Sequence, residues 1–338
     1  MIIKELIPNI ASGFEFEVGS VVLLQFWGEN EDLDVLDNFA LEIAKKGSIP
    51  IKWQYSREFL KAYFEETPEK YLSFPDKYFS MFKLCDAVID ICMYTPPKPH
   101  PDFPKDKIPF YRDYMINLMN SVRDKEIFIQ VKLPTKCNAE ASGIMDFNSY
   151  EVAVIKAMSV NYNELKTRTR ELHKTLEGSK TVEIQTKDKV LFMSVDNRSW
   201  FKDDGNGDLP AGEVYIAPIE DSAYGQIHIP FAFVNGVEYK DLDMSFEKGR
   251  LVECSSHQLL EMLRSIHPDS MVLAELGIGL NDKVTELIGY ATLDEKCLGT
   301  AHIALGMNTM FGGKNSCPVH FDFVFTPSNL FVDGKKII

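Results

Sequence analysis

Apolar positions follow one rhythm in the first half of this chain and another after residue 180. Residues 21–26 (VVLLQF) form a short continuous apolar run, closed by a polar turn at Gly28 and Asn30. Residues 34–46 then place Leu36, Phe39, Ala40 and Ile43 on one helical face, and the pattern stops at Gly47. Residues 49–53, 86–93 (DAVIDICM) and 127–131 (IFIQV) predict further buried strands, with helical spacing over 111–122. Strands interleaved with helices imply a mainly parallel sheet covered on both faces. Residues 95–110 carry six prolines, resist helix or central strand, and predict a surface loop or a lid.

A charged helix over 161–177 ends this half at Gly178. Extended segments follow at 181–185, 190–195, 227–233, 244–246 and 251–254, with a turn at Asp188 and Lys189 and a helix over 255–266. The change of texture sets a boundary near Lys180. The expected organisation is an N-terminal α/β domain over 1–179 and a C-terminal α+β domain over 180–338.

Length and composition sharpen this picture in few places. A chain of 338 residues, 45% hydrophobic and 25% charged, is globular and long enough for two cores. A net charge of −14 argues against a nucleic-acid partner, which calls for a basic face. Six cysteines without a CxxC pair predict reduced, mostly buried thiols in a cytoplasmic protein. Neither a secretory leader nor an apolar run long enough for a bilayer is visible, so no membrane partner is expected.

The chemistry concentrates between Ala211 and Phe323. Glu213 enters a strand from the turn Pro210-Ala211-Gly212, where taken alone it is an ordinary loop glutamate. Glu275 sits in MVLAELGIGLN, and a carboxylate buried among such neighbours is costly without a partner. His302 lies in the apolar run AHIALG, and His320 and Asp322 alternate on one face of the strand-like PVHFDF. Three carboxylates and two imidazoles are a donor set for two divalent ions such as Zn, Co or Mn. Cys317 is close enough in sequence to approach a metal but more simply packs, and His228 in QIHIPF has no supporting neighbour. The serine-nucleophile elbow, the P-loop and the HExxH helix are all missing.

The runs SWFKDDGNGDLPAGEVYIAP, AELGIGLN, LDEKCLGTAHIALG and GGKNSCPVHFD resemble the aminopeptidase T, aminopeptidase S and PepS family of metallopeptidases. The resemblance implies a homodimeric exopeptidase that removes N-terminal residues from peptides with a water activated by two metals. Carried over, the metal ligands are Glu213, Glu275, His302, His320 and Asp322, with Glu275, or else Glu213 or Asp322, bridging the two ions and Glu213 or Glu275 moving the proton to the leaving amine. One position departs: where the family has a tyrosine, seven residues after the histidine of HIALG, this chain has Thr309. Two alternatives follow. One is a mononuclear iron dioxygenase that opens dihydroxypyridine rings, and the other is a metal-binding relative without peptidase turnover.

Overall fold

The computed structural model describes residues 2–96, 98–123 and 125–338, without the side chain of Ile2. The chain forms two compact units, Met1–Tyr162 with Gly205–Pro210, and Asn163–Asp204 with Ala211–Ile338. The units divide at residues 162 and 163, whereas the change in sequence texture falls near Lys180. The helix Tyr162–Leu176 lies between those two positions and runs almost wholly in the second unit.

In chain order the strands begin with β1 (Val21–Trp27), β2 (Ile49–Gln54), β3 (Ala87–Cys92) and β4 (Ile127–Lys132). Next come β5 (Thr181–Thr186), β6 (Lys189–Ser194), β7 (Phe201–Asp203), β8 (Asp208–Leu209) and β9 (Glu213–Ile216). The hairpin strands β10 (Tyr224–Val234) and β11 (Val237–Glu247) precede β12 (Arg250–Cys254) and β13 (Leu273–Gly279). The last are β14 (Ala301–Gly306), β15 (His320–Phe325), β16 (Asn329–Val332) and β17 (Lys335–Lys336).

The first unit holds a parallel sheet in the order β2-β1-β3-β4-β8, as the alternation of runs and helices predicts. β3 is buried at all six positions, because helices cover both faces. Leu23, Trp27, Val88 and Cys92 face an aromatic layer that includes Phe64, Phe79, Phe82, Tyr111 and Tyr114. The proline-rich stretch contributes to this core through Phe103, and the following helix runs Ile108–Val122 with its proline in the first turn, where no amide bond is lost. The helix Arg57–Glu66, capped by the Ser56 hydroxyl accepting from the Phe59 amide, escapes the apolar period because its residues are largely charged or aromatic.

The second unit carries two antiparallel sheets, β12-β11-β10-β6-β5-β16-β17 and β15-β14-β13-β9-β7. Asn235 and Gly236, both at positive φ, make the tight turn between β10 and β11. The turn after β5 comprises Lys187 and Asp188, so Lys189 opens β6 instead of belonging to the turn. The mixed fold, a parallel sheet followed by an α+β part, is the one expected from the sequence. The second of these antiparallel sheets bears the candidate chemistry.

Candidate metal centre

Strand alternation sorts this sheet into an apolar and a polar face. Val214, Leu276, Ile303 and Phe323 are fully buried on one side. Glu213 on β9, Glu275 on β13, His302 on β14, and His320 and Asp322 on β15 share the other. A bulge between Leu273 and Glu275 sets the phase of β13, after which Glu275 lies opposite Ala304 and Gly277 opposite His302. Gly277 is required there: a Cβ would lie 2.0 Å from Cε1 of the His302 ring. Gly212, at φ +133°, turns the chain into β9, and a Cβ at that position would meet the Asn281 side chain at 2.7 Å.

The five groups converge. His302 Nε2 lies 3.3 Å from Glu275 Oε1 and 3.6 Å from Glu213 Oε2. His320 Nε2 lies 3.1 Å from Glu275 Oε2 and 3.1 Å from Asp322 Oδ1. Ligand-type atoms therefore cluster as Glu213, Glu275 and His302, and again as Glu275, His320 and Asp322. His320 Nδ1 donates to the Met307 carbonyl at 2.7 Å, which fixes the tautomer and leaves Nε2 for the centre.

The electrostatics of the protein's own groups show a strong excess of acid. Burial pushes the Glu213 carboxyl up to about 8, with Lys296 opposing. Burial acts on Glu275 in the same sense, yet hydrogen bonds from His302 and His320 outweigh it and hold this carboxyl at about 2. Both imidazoles rise against burial, His302 to about 9 beside Glu275 and Glu213, and His320 to about 12 beside Asp322 and Glu275. Glu213 Oε2 and His302 Nδ1 are buried without a hydrogen-bond partner among the described residues. An open, buried carboxylate oxygen beside an imidazole, in a set of oxygen and nitrogen donors, fits a divalent cation.

Three further charged residues belong to the centre. Lys296, 2% exposed, bonds Glu213 Oε1 and lies 2.8 Å from Glu295 Oε1 and 3.6 Å from Asp203 Oδ2. Glu295 also clusters with His302 and Asp322. Sequence reasoning passed over all three, although they lie inside the quoted motifs, because DEK and KDD read equally well as solvated turns. Thr309 is exposed at the start of a 3-10 turn whose Phe311 ring stands edge-on to His320. Phe311 also stands edge-on to Tyr215, which lies in register with Gly277 on the ligand face. Cys317 turns its thiol to the Val319 carbonyl, and all six cysteines are free. His228 pairs across the hairpin with Asp243, 2.8 Å from its Nδ1, while its Nε2 is buried without a hydrogen-bond partner among the described residues.

This fold is shared with a solved structure. Wild-type AmpT from Thermus thermophilus matches with a TM-score of 0.67 at 16% identity, over 99% of this chain and 97% of that chain. No curated protein matches the sequence. The profile of the family described as "Thermophilic metalloprotease (M29)" matches residues 9–336. The chain belongs to that family, as the four motifs implied, and is a metallopeptidase. No helix among the described residues is long and apolar enough to cross a membrane.

Proposed function

We propose that this metallopeptidase is an aminopeptidase whose centre holds two divalent ions, Zn, Co or Mn, on Glu213, Glu275, His302, His320 and Asp322. The position of Glu275 carries the proposal. Its two oxygens address different imidazoles, Oε1 at 3.3 Å from His302 and Oε2 at 3.1 Å from His320. Glu213, Glu275 and His302 would hold a first ion and Glu275, His320 and Asp322 a second, which would engage every group, with Glu275 common to both sets.

Charge balance supports two ions over one. With every carboxyl ionised, as cation binding would require of Glu213, the residues Asp203, Glu213, Glu275, Glu295 and Asp322 bring five negative charges to one neighbourhood. Lys296 and two protonated imidazoles return three positive charges, leaving a deficit of two. Exchanging both imidazole protons for divalent ions closes that deficit, whereas one ion replacing one proton leaves a negative charge uncompensated. The mononuclear iron alternative is disfavoured on this ground.

When bound, the ions supply Lewis acidity at the scissile carbonyl and lower the pKa of a water held there. The chain's own part is to fix the donors and move one proton. Glu275, engaged by an imidazole at each oxygen, holds position. Glu213 directs Oε2 toward His302 with no hydrogen-bond partner among the described residues, and Glu213 or Glu275 would help move the proton to the leaving amine. Peptides are the substrates of the family; homodimeric assembly and a cytoplasmic location complete the proposal.

Metal analysis of the purified chain should return two ions per chain. Leucine or arginine p-nitroanilide should be hydrolysed with cobalt or zinc present. A single tightly bound iron without release of p-nitroaniline would replace the proposal by the dioxygenase. Two retained ions with no turnover of peptides or anilides would leave a binding protein.

A further inference from the structure

We infer that Lys296 is a permanent third cation of this centre: its ammonium fills a cage formed by Asp203, Glu213 and Glu295, limits Glu213 to one ligating oxygen, and keeps the exchangeable ions at two. The inference rests on the two-ion proposal and extends it to a residue that donates no electron pair to a metal.

Lysine is almost never fully buried unless paired, and Lys296 is only 2% exposed. An ammonium has three donors. Three carboxylates from three separate elements surround this one: Asp203 from β7, Glu213 from β9, and Glu295 just after the short helix Ala291–Asp294. They are themselves 6%, 6% and 8% exposed, so none is neutralised by open solvent. Three convergent carboxylate oxygens are also what a hard divalent cation takes. Lysine thus occupies, in covalent and non-exchangeable form, a place that would otherwise attract an ion. The cost to Glu213 is one oxygen: Oε1 is committed to Lys296, and Oε2 alone remains toward His302, 3.6 Å away.

A purely structural salt bridge predicts something different on removal of the charge. Lys296→Met would then lower stability by the same amount whatever cation is added, and the ion count would stay at two. On the present inference the methionine variant exposes an uncompensated three-carboxylate cage. Equilibrium dialysis of the zinc-loaded full chain against manganese should show one additional ion per chain in Lys296→Met and none in the wild type. The melting temperature of the variant should rise by several degrees with millimolar magnesium while the wild type moves by less than about one degree. The visible absorption of the cobalt-loaded variant should shift as Glu213 gains its second oxygen.

The double variant Glu295→Gln/Lys296→Met should lose most of the additional uptake, because one wall of the cage is gone. Where Lys296→Met fails to fold, Lys296→Gln, of similar length and neutral, is put through the same dialysis with the same expectation. An unchanged count of two, with melting insensitive to magnesium and an unshifted cobalt spectrum, overturns the role of Lys296 while leaving the two-ion centre standing. A wild-type count other than two is a distinct result, which overturns the centre and this inference together.

Discussion

Each unit of this protein buries an acid in the middle of a sheet, and the two acids behave oppositely. Asp90, on β3 of the parallel sheet, is 1% exposed, and Glu275, on β13, is 6% exposed. The neighbours of Asp90 in register are Gln25 and Gln130, which carry no charge. Burial therefore dominates, and the Asp90 carboxyl is pushed up to about 7, with Trp27 and Gln130 offsetting only part of the effect. Glu275 meets the same burial, but its two imidazole partners hold it at about 2. Loss of solvent alone decides nothing about chemistry. What separates a reactive centre from a costly interior acid is the sign of the groups brought against it.

The sharpest way to break this contrast is Glu275→Gln, which removes the charge that both imidazoles face. Peptidase activity should fall by about 10³-fold or more, and bound metal should drop below the wild-type level. A variant with full activity and unchanged occupancy would sink the bridging role. Asp90→Asn tests the other side. Because the folded carboxyl titrates near 7 and the unfolded one near 4, the native state binds the extra proton between those values. Wild-type stability should then decline by roughly 4 kcal/mol as pH rises from about 4 to 7 and level off above. In urea titrations at pH 5 and 8, Asp90→Asn should flatten that decline and stabilise the protein at pH 8. A pH dependence identical to wild type would show that Asp90 is not its source.

Smaller effects refine the comparison. Gly277→Ala should weaken metal binding by about 10–100-fold, since its methyl displaces the His302 ring, while circular dichroism stays native. Wild-type affinity in that variant would mean that the ring has room the geometry denies it. His228→Gln should cost only about 1 kcal/mol through the lost Asp243 contact and leave the ion count untouched.

Sequence alone made the outline of this molecule legible because buried strands announce themselves. VVLLQF, DAVIDICM and IFIQV all became strands of the parallel sheet, and the strand-like PVHFDF supplied β15 of the ligand sheet. Local sequence could not tell DAVIDICM from MVLAELGIG, since each is an acid in an apolar run. The distinction lies with His302 and His320, tens of residues away, and becomes visible only through the register of β13 against β14 and β15. Lys296 was hidden for a related reason. A lysine directly after two acidic residues ordinarily signals a solvated turn, and its burial depends on strands that arrive from elsewhere. The unit boundary escaped because the helix Tyr162–Leu176 resembles the helices before it, although it packs with the sheets after it.

The placement of His320 and Asp322 on β15 has one more consequence. That strand lies at the end of its hydrogen-bonded ladder, where pairing exists on one side only. Two donors of one cluster ride on this margin, while their partner Glu275 sits on the inner strand β13. A cation held there, as proposed, would act as a rivet across the edge of the sheet. Stripping it with a chelator should loosen the ladder from the His320 end inward, seen as faster amide hydrogen exchange over residues 320–325 well before the rest of the unit opens.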